Sequence, residues 1–110
     1  ATGLGTLDLA GQSQQIAGLN SVSGTSVAGD NTVTSSSAAT LTIGGSGTYT
    51  YGDGSNTNSG VITGTTLKVV MAGSGTQTFG DTNSYGGGTD LNNGTLVAAR
   101  LNALGTTGTL

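Results

Sequence analysis

Apolar and polar residues alternate along this chain in short bursts rather than long stretches. The runs are "TLDLA", "NTVTS", "TLTIG", "TYTYG", "GVITG", "LKVVMA", "TQTFG" and "TLVAA", and most of them meet Gly or Ser. Alternation of period two puts successive side chains on opposite faces of a strand. In "TLTI", Leu41 and Ile43 therefore point one way and Thr40 and Thr42 the other. No segment keeps the i, i+3, i+4, i+7 apolar pattern for more than a turn, and Gly and Thr are poor helix formers. The pattern predicts an all-β chain of short strands between tight turns.

Two interleaved apolar series run the length of the chain. One is Leu9, Val27, Ile43, Ile62, Phe79 and Leu96; the other is Ile16, Val33, Tyr51, Val69, Tyr85 and Leu101, with steps of 16 to 19 residues in each. Recurrence of this kind predicts a parallel β-helix, or β-solenoid, of about six coils of 17–18 residues, with the first series stacked inside. Such coils would lie about 4.8 Å apart, and the rod would be roughly 29 Å long. An antiparallel sandwich competes with this reading. Asn93-Gly94 between short apolar runs suits a hairpin, yet it suits a solenoid corner equally well.

Composition sharpens the picture. Gly, Ser, Thr and Asn supply 63 of 110 residues, while the net charge is only −3 and Pro and Cys are absent. Recurring β-branched residues with so little charge argue for an ordered chain rather than a disordered one. Outward Thr keeps strand propensity while staying polar, and Gly allows the positive φ of corners. The length fits residues 1–110 as a single domain, or as one repeat unit of a larger protein. Lys68 and Arg100 are the two basic residues, too few for a nucleic-acid surface. No apolar run approaches the roughly 20 residues of a membrane span.

The stretch "GSGTQTFGDTNSYGGGTDLNNGTLVAA", residues 73–99, resembles the autotransporter-associated β-strand repeat of bacterial passenger domains. Gly75, Thr76, Thr78, Gly80, Asn83, Tyr85, Gly87, Gly88, Thr89, Gly94, Thr95 and Leu96 fall on its positions. Gln77 and Phe79 stand where leucines are usual, and Ser84 and Gly86 where threonines are usual. The resemblance implies a right-handed parallel β-helix that is extracellular or on the bacterial cell surface. It brings no catalytic residues with it.

Little catalytic chemistry is available, because His, Cys and Glu are all missing. Five carboxylates remain: Asp8, Asp30, Asp53, Asp81 and Asp90. A polysaccharide-active site would need several of them on adjacent coils beside Lys68 or Arg100. Asp30, Asp53 and Asp81 each sit in a Gly- or Asn-containing turn, where a carboxylate ordinarily caps the turn. "YGDGSNTNSG" offers Asp53, Ser55, Asn56 and Asn58 as oxygen ligands, but it matches neither an EF-hand loop nor a tandem calcium repeat. Threonine rows can bind ice, but over coils of 17–18 residues Thr-x-Thr does not recur. Tyr49, Tyr51 and Tyr85 are candidates for sugar stacking, and solenoid spacing puts Tyr51 and Tyr85 inside or at a corner. Asn93-Gly94-Thr95 is a lone sequon. No catalytic, cofactor or metal site is expected.

These readings converge on a structural extracellular solenoid, not an enzyme, that builds a rod with itself as partner, through head-to-tail copies or neighbouring repeats. Both ends of the sequence read like interior coils, so "TTGTL" is expected to pair near "TGLGTLDL" of the next unit. An adhesin-type module that binds host or matrix glycans is the alternative, and a row of outward aromatics would favour it. A polysaccharide-active enzyme is a distant third.

Overall fold

The computed structural model describes residues 5–21, 31–52 and 60–105. Each of the eight alternating runs carries a strand. In chain order the strands are β1 (Gly5–Asp8), β2 (Gln14–Ile16), β3 (Asn31–Thr34), β4 (Ala39–Ile43), β5 (Thr48–Tyr51), β6 (Val61–Ile62), β7 (Leu67–Met71), β8 (Thr76–Phe79), β9 (Thr89–Leu91) and β10 (Thr95–Ala98). The two strands outside the runs, β2 and β9, are short and carry one apolar residue each, Ile16 and Leu91.

The strands form three sheets: β1-β3-β6, β2-β4-β7-β9 and β10-β8-β5. Every pairing is parallel. Antiparallel hairpins are therefore not how these residues fold. Asn93-Gly94 instead turns the corner between β9 and β10, which belong to different sheets. From β3 to β8 the chain visits the first, second and third sheets in turn, twice over.

The circuit length differs from the expected 17–18 residues. Gly5 lies beside Asn31, a step of 26, and Thr32 beside Val61, a step of 29. In the last circuit Val69 lies beside Thr89, a step of 20, and Thr76 beside Thr95, a step of 19. The apolar series marks something other than one full turn. Ile43 is on the second sheet, Ile62 on the first and Phe79 on the third, so each of these steps advances two of the three sides. Residues at those steps share the interior without stacking on one another. Ile43 stacks on Met71, Ile62 on Val33, and Phe79 on Tyr51. With four rungs in the longest sheet, the described residues do not make six coils. The molecule measures 34 × 28 × 23 Å, squatter than a rod.

Burial follows the alternation. In β4 and β7 the inward positions Leu41, Ile43, Leu67, Val69 and Met71 are buried while the residues between them are partly exposed. Leu9, Ile43, Ile62 and Phe79 of the first series are in the core, and Leu96 packs partly against it. Val27 lies outside the described residues. In the second series Val33, Tyr51, Val69 and Tyr85 are buried and Ile16 packs against the core, but Leu101 is 81% exposed. Leu101 follows the end of β10 in a turn, where no strand alternation directs it inward.

Candidate functional site

The carboxylates are scattered. Asp8 ends β1 and accepts the Ala10 N–H at 2.8 Å, capping a turn in which Ala10 has φ 51°. Asp90, on β9, pairs with Lys68 on β7 at 2.7 Å, and both side chains are well exposed. Lys68 thus faces outward, as its alternation with Leu67 and Val69 implied. A pair so exposed contributes about 0–1 kcal/mol. Asp81 is fully buried and accepts the Gly60 N–H at 3.1 Å. Asp30, Asp53, Ser55, Asn56 and Asn58 lie outside the described residues. Among the described residues, no group of three acidic, His or Cys side chains comes together.

The tyrosines look inward. Tyr51 and Tyr85 are 4% and 0% exposed, and Tyr85 Oη lies 2.6 Å from Thr89 Oγ1. Burial pushes the Tyr51 hydroxyl up to about 12, and the charge of Asp81 adds to the effect. Burial also raises Tyr85, with its Thr89 hydrogen bond pulling the other way. Tyr49 is half-buried against Gly18, where an added Cβ would come 2.2 Å from the ring. No row of outward aromatics exists among the described residues.

Two interior amides escape a reading by alternation alone. Gln77 is fully buried; its Oε1 accepts the Leu19 N–H and its Nε2 donates to the Leu19 carbonyl, each at 2.9 Å. It ties together residues 58 apart. Asn83 is 1% exposed, with its Oδ1 accepting the Ile62 N–H at 2.8 Å and its Nδ2 donating to the Ala103 carbonyl at 2.7 Å. Both satisfy main-chain groups that would otherwise be buried without a partner. Outward, the third sheet stacks Thr48, Thr76 and Thr95 in one column and Thr50, Thr78 and Val97 in the next. Steps of 28 and 19 residues hide these columns from a search at 17–18.

One segment concentrates these features. From Val69 the chain completes the second side, makes the third, crosses the first and repeats the second and third, ending at Ala98. Residues 69–98 match the passenger-associated-transport repeat. No curated protein and no solved structure shows significant similarity to the chain. The match agrees with the resemblance to the autotransporter-associated repeat, and the structure supplies physical reasons for the motif. The matched segment spans more than one circuit, covering the second and third sides twice and the first side once. Its Gly75 and Gly87 pass so close to neighbouring backbone that a Cβ would reach 2.2 Å from Gly47 O and 2.6 Å from Leu67 C and O. Its Gly88 and Gly94 hold φ 91° and 72°. Its Asn83 bridges circuits, its Tyr85 and Thr89 bond inside, and its Thr76, Thr78 and Thr95 build the outward columns. The motif specifies architecture.

Proposed function

We propose that this chain is a structural segment of a right-handed parallel β-solenoid, carried on a secreted or cell-surface passenger, that lengthens by adding rungs at its ends. The observation that carries the reading is the state of the outermost strands. At one end β1 and β2, and at the other β9 and β10, each pair with a single neighbour among the described residues. Each such edge offers a row of main-chain donors and acceptors to a further rung, from a neighbouring repeat or a second copy. Heterologous contacts of this sort need not close into a ring. The membership of residues 69–98 in a passenger-associated repeat supports the location. The role proposed is not enzymatic, since the dispersed Asp8, Asp81 and Asp90 each have a structural task.

Fibre diffraction and electron microscopy of concentrated protein test the stacking of copies. The expected result is rods with a strong axial repeat near 4.8 Å, the spacing of parallel strands. Monodisperse particles at high concentration would remove copies as the source of the next rung. A glycan-binding adhesin is the second reading, and the hydroxyl columns of the third sheet are the face it would use in place of outward aromatics. Glycan-array binding that is lost in Thr76→Val and Thr78→Val would establish it.

A further inference from the structure

At the corner between β9 and β10 an asparagine side chain lies against the main-chain nitrogen that follows it. The Gly94 N–H donates to Asn93 Oδ1 at 2.9 Å. On either side the main chain is held to the preceding rung, Asn93 N–H to the Met71 carbonyl at 3.2 Å and Thr95 N–H to the Gly75 carbonyl at 3.0 Å. The peptide between them is clamped in place while its nitrogen faces the side-chain amide. Gly94 cannot be exchanged for a bulkier residue. Its φ is +72°, and a Cβ would meet Gly73 O at 2.4 Å and Gly75 O at 2.6 Å. The fold therefore demands glycine here, the residue that least obstructs attack by its own nitrogen. Asn93 and Gly94 are both exposed, so water and hydroxide reach them.

We propose that Asn93 is a site of spontaneous modification, converting through a succinimide to aspartate and isoaspartate faster than any other described asparagine. The Gly94 nitrogen loses its proton to hydroxide and attacks Asn93 Cγ, forming the N–Cγ bond. The Cγ–Nδ2 bond breaks, and Nδ2 leaves as ammonia with a proton from water. Water then adds to one of the two imide carbonyls. Opening at the side-chain carbonyl gives aspartate, and opening at the main-chain carbonyl gives isoaspartate, which carries the chain through Cγ. No oxidant, metal or enzyme is required. Isoaspartate lengthens the main chain by one carbon at a corner whose flanks are fixed, so this product strains the β9–β10 rung.

The other described asparagines are placed differently. Asn83 is buried with both amide atoms engaged. Asn20 Oδ1 accepts the Thr50 N–H at 2.9 Å. Asn31 lies in β3 and precedes Thr32, a β-branched residue. Asn92 precedes Asn93, and Asn102 precedes Ala103, whose N–H is held by the Arg100 carbonyl at 3.1 Å.

The test is incubation of the folded chain in mildly alkaline buffer, followed by peptide mapping and enzymatic methyl labelling of isoaspartate. Label and the mass gain of an amide-to-acid change should accumulate at Asn93 about tenfold faster than at Asn92 or Asn102. Asn93→Gln, exposed and one carbon longer, should keep the fold and remove the label, while Asn92→Gln should leave it. Equal rates at Asn92, Asn93 and Asn102 would overturn the proposal. So would a rate at Asn93 that rises when the chain is unfolded in urea, because the corner would then be protecting the residue.

Discussion

With one amide atom on the Ile62 N–H and the other on the Ala103 carbonyl, Asn83 joins three successive circuits along the first side. No strand crosses that side between β6 and the end of the described chain, so the side chain carries bonds that a ladder would otherwise carry. Truncation would leave a buried N–H and a buried carbonyl, each costing about 1–3 kcal/mol. Asn83→Ala should therefore destabilise by about 2–4 kcal/mol, read as a lower urea midpoint, whereas Thr82→Ala, on an exposed neighbour, should cost far less. Tyr51 gives a pH-dependent counterpart. Its hydroxyl is held up to about 12 against an ordinary 10.0. The folded state thus keeps a proton that the unfolded state releases, and stability is complete below pH 10.0 and falls as pH rises toward 12. The loss should reach about 2–3 kcal/mol. Tyr51→Phe should blunt this alkaline loss in urea titrations across that range, and an unchanged profile would rule Tyr51 out as its source.

At the scale of elements, corners matter as much as strands. Between the second and third sides, Gly45, Gly73, Gly75 and Gly94 stack carbonyl against α-carbon: Gly75 N–H donates to Gly45 O at 3.1 Å, and a Cβ on Gly75 would sit 2.2 Å from Gly47 O. Since the obstacle is main chain, it cannot rotate away. Gly75→Ala should cost roughly 3 kcal/mol or more, or prevent folding, as loss of circular dichroism and of a cooperative urea transition would show. Gly47→Ala, whose Cβ would first meet the movable rim of the Tyr49 ring at 3.1 Å, is the comparison. The strands themselves were readable because inward apolar and outward Thr alternate in "TLTI" and "LKVVM". β2 and β9 were not, because "QQI" and "TDL" hold too little apolar surface to show a period. Gln77 and Asn83 were unreadable for the opposite reason. They occupy inward positions with polar side chains, and only the neighbouring circuit, many residues away in sequence, explains why they are satisfied there.

For the whole molecule, a three-sided circuit turned one recurrence into another, since inward residues two sides apart mimic a turn of 17–18. Parallel winding survived that error, and the open edges follow from the winding. The expected pairing of "TTGTL" with "TGLGTLDL" lies outside the described residues, but β10 allows a sharper test. Thr95 N–H and Ala99 N–H both donate back toward β8, to Gly75 O at 3.0 Å and Phe79 O at 3.1 Å. Parity then directs the amides of Leu96 and Ala98 away from β8, toward the next rung. Ala98 is exposed and small. Ala98→Pro removes an outward donor and puts a ring in the path of the incoming strand, while the bonds to β8 remain; proline is tolerated on an edge strand in just this orientation. Val97→Pro removes an inward donor instead. If copies add rungs at this edge, Ala98→Pro should abolish rods in electron micrographs with the urea midpoint nearly unchanged, and Val97→Pro should lower the midpoint. Each added rung bond contributes about 0.5–1.5 kcal/mol, and with seven charged residues in the chain the rods should persist in high salt. Normal rods from Ala98→Pro would show that elongation does not use the β10 edge.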